Sequence, residues 1–441
     1  MAATLTATAK CQVESASRST VVDEFSALSI NFSNDQFIPT TNSLGTDTIN
    51  KIKNGSFTEA EMNQYIAAST ITHLQDSWNF LGQAIQATLN GQASIAKHLG
   101  YYAELRASMS ILATEGIGIF NKAHYYIDNA DSTPKKIDDR NGTHQALWLI
   151  LEHWSEQDQA RGLLERIITP QNIKLENWVN SYRNNTWSSL SSQIFKQWGV
   201  DLQYLAKDRD TRNRVSYRPT YIHSHVASDF KQNYQFVVEL WNLLEPSNNG
   251  NYPNIDNLLL VQTINLLNPS SNPKSRNQLN KDLYKMLDSN LTSLQQKKDY
   301  MNYFHSSPNN PVLTNAETIH SDIDSAMLDP LNHLQVIARA LLLVRIATGA
   351  VKLLLQDSNV NLTDIDFWTK HIMTRSGLTS LEEMNHLSFE DLWSDIHDIA
   401  INDINQSIDE ANDLYDYKND YSHASVLLSE CQRAMLWGLS S

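Results

Sequence analysis

Cysteine is nearly missing from this chain: 441 residues hold two, Cys11 and Cys431, at opposite ends. One bridge is the most they can form, so a disulfide framework and zinc-ligand spacing are both excluded. Glycine and proline are scarce too, at 14 and 11. Long stretches of Leu, Ile, Ala, Gln and Asn take their place, which predicts a mainly helical protein. Positive charge is in short supply, since 34 Lys and Arg stand against 49 Asp and Glu for a net charge of −15. Such a field repels phosphates, so general coating of nucleic acid is excluded and any contact with it must be local. The most apolar stretch, 334–355, is interrupted by Arg339, Arg345 and Lys352 and does not read as a membrane span. The opening MAATLTATAK lacks the apolar run of a secretion signal. A cytoplasmic location is the expectation. No Walker loop, Gly-x-Gly-x-x-Gly, Gly-x-Ser-x-Gly or His-Glu-x-x-His occurs, so no cofactor and no metal is expected.

What is present is helical periodicity. Residues 1–55, rich in Ser, Thr and Asn, read as a mobile or irregular lead-in. At Thr58 the run TEAE reads as an N-cap with acids in the first turn. Met62, Ile66, Ile71, Leu74, Trp78, Leu81, Ile85 and Leu89 then recur at helical steps up to Asn90-Gly91. A second helix is expected from about 94 to 115, where small residues at Ala103, Ala107 and Ser110 would admit a close neighbour. Residues 117–142 read as an irregular connection, and shorter helices follow near 143–154, 156–168, 175–182 and 190–198. The Pro/Asn/Gly-rich stretches within 246–277 read as a linker between a bundle at 56–245 and a second helical domain at 278–441. In that second domain the apolar helix 331–356 is expected to be buried, with Arg339 and Arg345 reaching to an edge.

The most distinctive stretch is Thr211–His225, TRNRVSYRPTYIHSH. Between Lys207 and Lys231 six Lys/Arg fall in 25 residues of an otherwise acidic chain. A guanidinium can neutralise a phosphate while a neighbouring imidazole moves a proton, which is what RNA cleavage without a metal requires. His223, with an ordinary imidazole pKa, is the candidate base, and Arg218 or Arg212 the candidate stabiliser of phosphorane charge. Asn213 would orient the phosphate, and Tyr217 or Tyr221 would stack a base. Arg214 and His225 complete the candidate binding set. The bland alternative is that these arginines pair with Asp208, Asp210 and Asp229 at a structural seam.

Three segments, YYAELRASMSILATEGI at 101–117, GTHQALWLIL at 142–151 and RNRVSYRPTYIH at 212–223, together resemble the HEPN superfamily over about residues 94–245. The resemblance implies a four- to five-helix up-and-down bundle that often dimerises. In active members it implies a metal-independent ribonuclease with an arginine and a histidine facing a shared cleft. Arg212 with Asn213 matches the family's arginine-plus-polar pair, but Tyr217 stands where catalytic members carry histidine. Arg218 and His223 have the family's separation, with Pro219 in place of the usual polar residue. The functional expectation is an RNA-targeting ribonuclease or toxin-type effector of a microbial defence or stress system. The alternatives are a non-catalytic subunit that holds a nuclease or nucleotidyltransferase partner, and a nucleotide-sensing module.

Near the C-terminus, twelve Asp/Glu and one Lys lie between Glu382 and Asp420, interleaved with Leu392, Trp393, Ile396, Ile399, Ile404 and Ile408. A helix so patterned buries one side and turns an anionic face outward, which reads first as a solvated surface and otherwise as a docking face for a basic protein partner or for the chain's own 207–231 segment. Asp391, Asp395, His397 and Asp398 are too water-facing to hold a divalent ion well.

Overall fold

The computed structural model describes residues 4–32, 50–51, 54–120, 123–139, 141–182, 191–217, 229–247, 251–267, 276–291, 293–306, 310–361, 364 and 389–439. The fold is all-α, as expected, with one small sheet among the described residues.

Helix Glu59–Leu89 starts at a true capping box. The Thr58 side chain accepts from the Glu61 N–H while the Glu61 carboxylate accepts from the Thr58 N–H. Its apolar positions, at steps of three to five residues, are buried from Met62 to Leu89. The chain reverses at Gly91, whose φ of +72° suits glycine, and returns as Ala93–Thr114. The close neighbour expected from the small residues is Asn332–Asp357. A Cβ at Gly100 would lie 3.1 Å from Val336, and the buried Ala103 and Ala107 lie on the same helix. Ser110 instead faces the first helix, its hydroxyl donating to the Thr70 carbonyl at 2.7 Å.

Three expectations need correction. The lead-in 1–55 contains helices Ala7–Glu14 and Arg18–Phe32, which bury Ala9, Val13, Val21 and Phe25. The connection 117–142 contains a three-stranded antiparallel sheet, β1 (Ile117–Phe120), β2 (Ala123–Ile127) and β3 (Pro134–Lys136), with Ile117 opposite Tyr126 and Tyr125 opposite Lys136. These strands are short, and β1 and β2 are buried throughout, so no in–out alternation marks them. The stretch 246–277 contains helix Pro253–Leu267, with Ile255, Leu258, Leu259 and Leu260 in the core. One hydrophobic core runs from the N-terminal helices through Asn332–Asp357 to the last helix, so the boundary drawn at 246–277 crosses shared packing.

Asn332–Asp357 is long and apolar enough to cross a membrane, and its most apolar window is wholly buried inside the protein, as in a core helix. Its arginines do not reach an edge. Arg339 donates through Nε and Nη2 to both carboxylate oxygens of Asp208, at 2.8 and 2.9 Å. Arg345 does the same with Asp256, at 2.8 Å twice, and adds a bond to the Ile167 carbonyl. A guanidinium held in the core stays charged, so each needs a carboxylate in fork-to-fork geometry.

Candidate functional site

Helix Thr143–Ser155 follows the sheet and sets the site. Its N-cap is Gly142, which has no side chain with which to cap the first turn, and the Thr143 hydroxyl donates back to the Phe120 carbonyl at 3.1 Å. Residues Gly142–Gln145 therefore border a cleft of about 640 Å³. The opposite walls carry Arg106 from Ala93–Thr114, His73 and Tyr65 from Glu59–Leu89, and Arg209 from Leu202–Tyr217. Tyr102 and Phe120 supply further aromatic surface.

Polar contacts fix the ring nitrogens. An arginine can only donate, so His73 Nδ1 accepts from Arg106 Nη1 at 3.0 Å and the ring proton sits on Nε2. Burial, and then the Arg106 charge, push the His73 pKa down to about 3, so this ring is neutral at physiological pH. His144 Nε2 faces Arg212 Nη2 at 3.5 Å and Nδ1 lies 3.0 Å from the Tyr101 hydroxyl. The same reasoning makes Nε2 the acceptor and puts the proton on Nδ1. Burial lowers the His144 pKa, and the charges of Arg212, Arg209 and Arg106 lower it further. The charges of three guanidiniums thus act on this imidazole, and of the three Arg212 is the one in contact with it. Arg106 also lies 3.5 Å from Asp76, whose pKa is raised by burial, and Arg209 pairs with its neighbour Asp210 at 2.8 Å.

Arg212 behaves differently from the outward-facing cation that the sequence predicts. It is buried, with its guanidinium over the rings of Tyr101 and Tyr102 at 5.1 and 5.2 Å from their centroids. Its Nε has no hydrogen-bond partner, and among the described residues it makes no ion pair. Asn213 is half-buried on the same helix, and Arg214 pairs with Asp324 rather than facing the cleft. Tyr217 ends that helix. Arg218, Tyr221, His223 and His225 lie outside the described residues. The structure thus joins Arg212 to His144, a histidine 68 positions away in sequence.

Arg106, Arg209, His73 and His144 were not among the candidates from sequence. Arg106 and His144 sit inside two of the three segments that carry the resemblance, YYAELRASMSILATEGI and GTHQALWLIL. His73 had no signal of its own in an amphipathic helix.

In the acidic region, Leu392, Ile396, Ile404 and Ile408 are buried while Asp391, Asp398, Asp409, Glu410, Asp413 and Asp416 are exposed. Asp395 is paired with Arg433 at 2.7 Å, and His397 with Asp398 at 2.8 Å. Comparison with protein-family models, with curated proteins and with solved structures finds no match for this chain.

Proposed function

We propose that this protein is an RNA-directed, HEPN-like helical protein whose cleft receives a phosphodiester of single-stranded RNA together with an adjoining base. The observation that carries this reading is that Arg106, Arg209 and His144 line one cleft, with Arg212 3.5 Å from His144, in a chain of net charge −15. Local positive charge of that density is what a phosphate needs from a protein that repels it elsewhere. The uncapped start of Thr143–Ser155 adds the partial positive charge of its free N–H groups. Tyr65, Tyr102 and Phe120 offer faces on which a base can stack, worth about 1–3 kcal/mol per base.

Cleavage at this cleft is the second reading, and one observation favours it. His144 is a neutral imidazole whose Nε2 meets the Arg212 guanidinium at a long 3.5 Å, and a 2′-hydroxyl that displaced this contact could give its proton to Nε2 while the guanidinium stabilised charge on phosphorus. His73 is too weakly basic to serve as the matching acid. Binding without turnover is therefore the leading form of the proposal. A defence or stress setting rests on the sequence resemblance alone.

Labelled single-stranded RNA incubated with the protein in EDTA separates these forms. Binding that Arg209→Gln weakens roughly tenfold or more supports the cleft, and unchanged affinity in that variant sinks it. Metal-independent cleavage lost in His144→Ala supports turnover. Affinity should also rise as pH falls. A bound phosphate opposes the arginines that depress His144, so binding takes up a proton and is stronger where the imidazole can be charged.

A further inference from the structure

A second cationic cavity, of about 340 Å³, shares no lining residue with the cleft. It opens where the end of Asp158–Ile167, the turn 169–174, the entry to Pro253–Leu267 and the last turns of Asn332–Asp357 meet. Arg166, Lys174, Arg345 and Lys352 line it, and no carboxylate does.

The four cations are not equally committed. Arg345 is held by Asp256, and its bond to the Ile167 carbonyl also satisfies the negative end of a helix. Arg166 donates to Asp357 at 2.7 Å from the cavity rim. Lys352 has only a neutral partner, Asn251, whose Oδ1 accepts from Nζ at 2.8 Å, and Lys174 is exposed. Neither lysine has an ion pair among the described residues. Asn251 is itself braced by Asn172, which accepts from its Nδ2 at 3.0 Å. Gln171 and Asn172 hold that brace with φ of 53° and 60°, two successive residues in the left-handed region. Strain of this kind persists where a site fixes it. Burial, and then Arg345, push the Lys352 amine down to about 8, which an anion beside it would reverse.

We propose that this cavity binds a small phosphate monoester, its dianion set among Lys352, Lys174 and Arg166, with the ester's hydroxyls on Thr169 and Gln356. Two uncompensated ammonium groups match two negative charges, whereas a monocarboxylate would leave one unmet. The volume lies at the small end of ligand sites, which fits a short polyol chain better than a base and sugar. The site is independent of the RNA cleft and stands whether or not RNA binds there.

Titration calorimetry of the full chain with glycerol 3-phosphate, in chloride matched for ionic strength and with glycerol as control, tests it. Saturable binding is expected for the phosphate and none for glycerol. Lys352→Gln and Lys174→Gln should each weaken it by at least about tenfold. Lys174 is exposed, so its variant should fold even if that of Lys352 does not. Reductive methylation followed by mass spectrometry should find Lys352 reactive near pH 8 and protected by glycerol 3-phosphate. Absence of saturable binding, equal affinity in the wild type and the Lys174 variant, or methylation of Lys352 that the ligand does not slow would each overturn the proposal.

Discussion

The arginines of the central helix and those of the cleft solve the same electrostatic problem in opposite ways. Arg339 and Arg345 are buried in the core, each gripped by a carboxylate through two bonds of 2.8–2.9 Å. Arg212 is almost as buried, yet it faces two tyrosine rings and an imidazole, with one of its nitrogens unsatisfied. A paired guanidinium has its counter-ion built in and serves the fold. One that is desolvated and stacked without a counter-ion keeps attraction to spare for an anion from outside.

Replacing Arg339 by Met should give the largest effect. Asp208 and Glu104 would remain buried beside one another without the arginine that pairs them, and breaking such a pair is worth about 3–5 kcal/mol. The urea midpoint should fall accordingly, and adding Asp208→Asn with Glu104→Gln should restore much of the loss. Arg212→Met should be milder, with a loss of about 0.5–2 kcal/mol from the tyrosine stacking. RNA affinity should fall with it, by a factor that salt changes little. If Arg212→Met destabilises the chain as much as Arg339→Met, Arg212 is a structural arginine after all and the contrast collapses.

Which arginine belongs to which class could not be read from the chain. Helix Glu59–Leu89 was legible because both its signals are local, the Thr58–Glu61 capping box and the spacing from Met62 to Leu89. The strands at Ile117–Phe120 and Ala123–Ile127 were not, because segments of four and five residues covered on both faces carry no alternation. The partner of Arg339 is Asp208 and that of Arg345 is Asp256, separations of 131 and 89 residues that one sequence does not encode locally. Of the candidate site, Arg212 was found but its surroundings were not. The tyrosines beneath it and the histidine beside it come from two other helices. The resemblance quoted their segments without saying that these side chains meet.

The carboxylates behind Arg339 sharpen the contrast through pH. Burial, and then the charge of Asp208, hold the Glu104 carboxyl well above its ordinary range. A carboxyl raised in the folded state binds its proton more tightly there than in the unfolded chain. Its contribution to stability is present in acid and is lost as pH rises from the unfolded value of about 4.5 towards the folded one. Asp208 is raised by burial as well, opposed by Arg339, and adds in the same direction. Glu104→Gln should therefore match the wild type near pH 4.5 and exceed it at pH 8, seen as a flatter plot of urea midpoint against pH. A wild-type plot that climbs over this interval, with that of the variant staying flat, would mean that Glu104 is ionised beside Arg339 and that the central pair carries one more fixed charge.

The smallest effect is expected at Arg214, two positions from Arg212 on the same helix. Its partner Asp324 is largely exposed, at 73%, so water screens the pair and Arg214→Ala should change stability by about 0–1 kcal/mol. RNA binding should fall only by the weak long-range attraction of one surface charge, and 0.5 M salt should erase the difference, because the Debye length is then only about 4 Å. The adjacent pair therefore isolates burial as the variable. Arg212→Met should keep its deficit in high salt wherever binding is still measurable, since its field acts through tyrosine rings rather than through solvent. If the two variants lose affinity equally and salt removes both losses, the basic segment is a diffuse surface patch, and the cleft does not select a ligand.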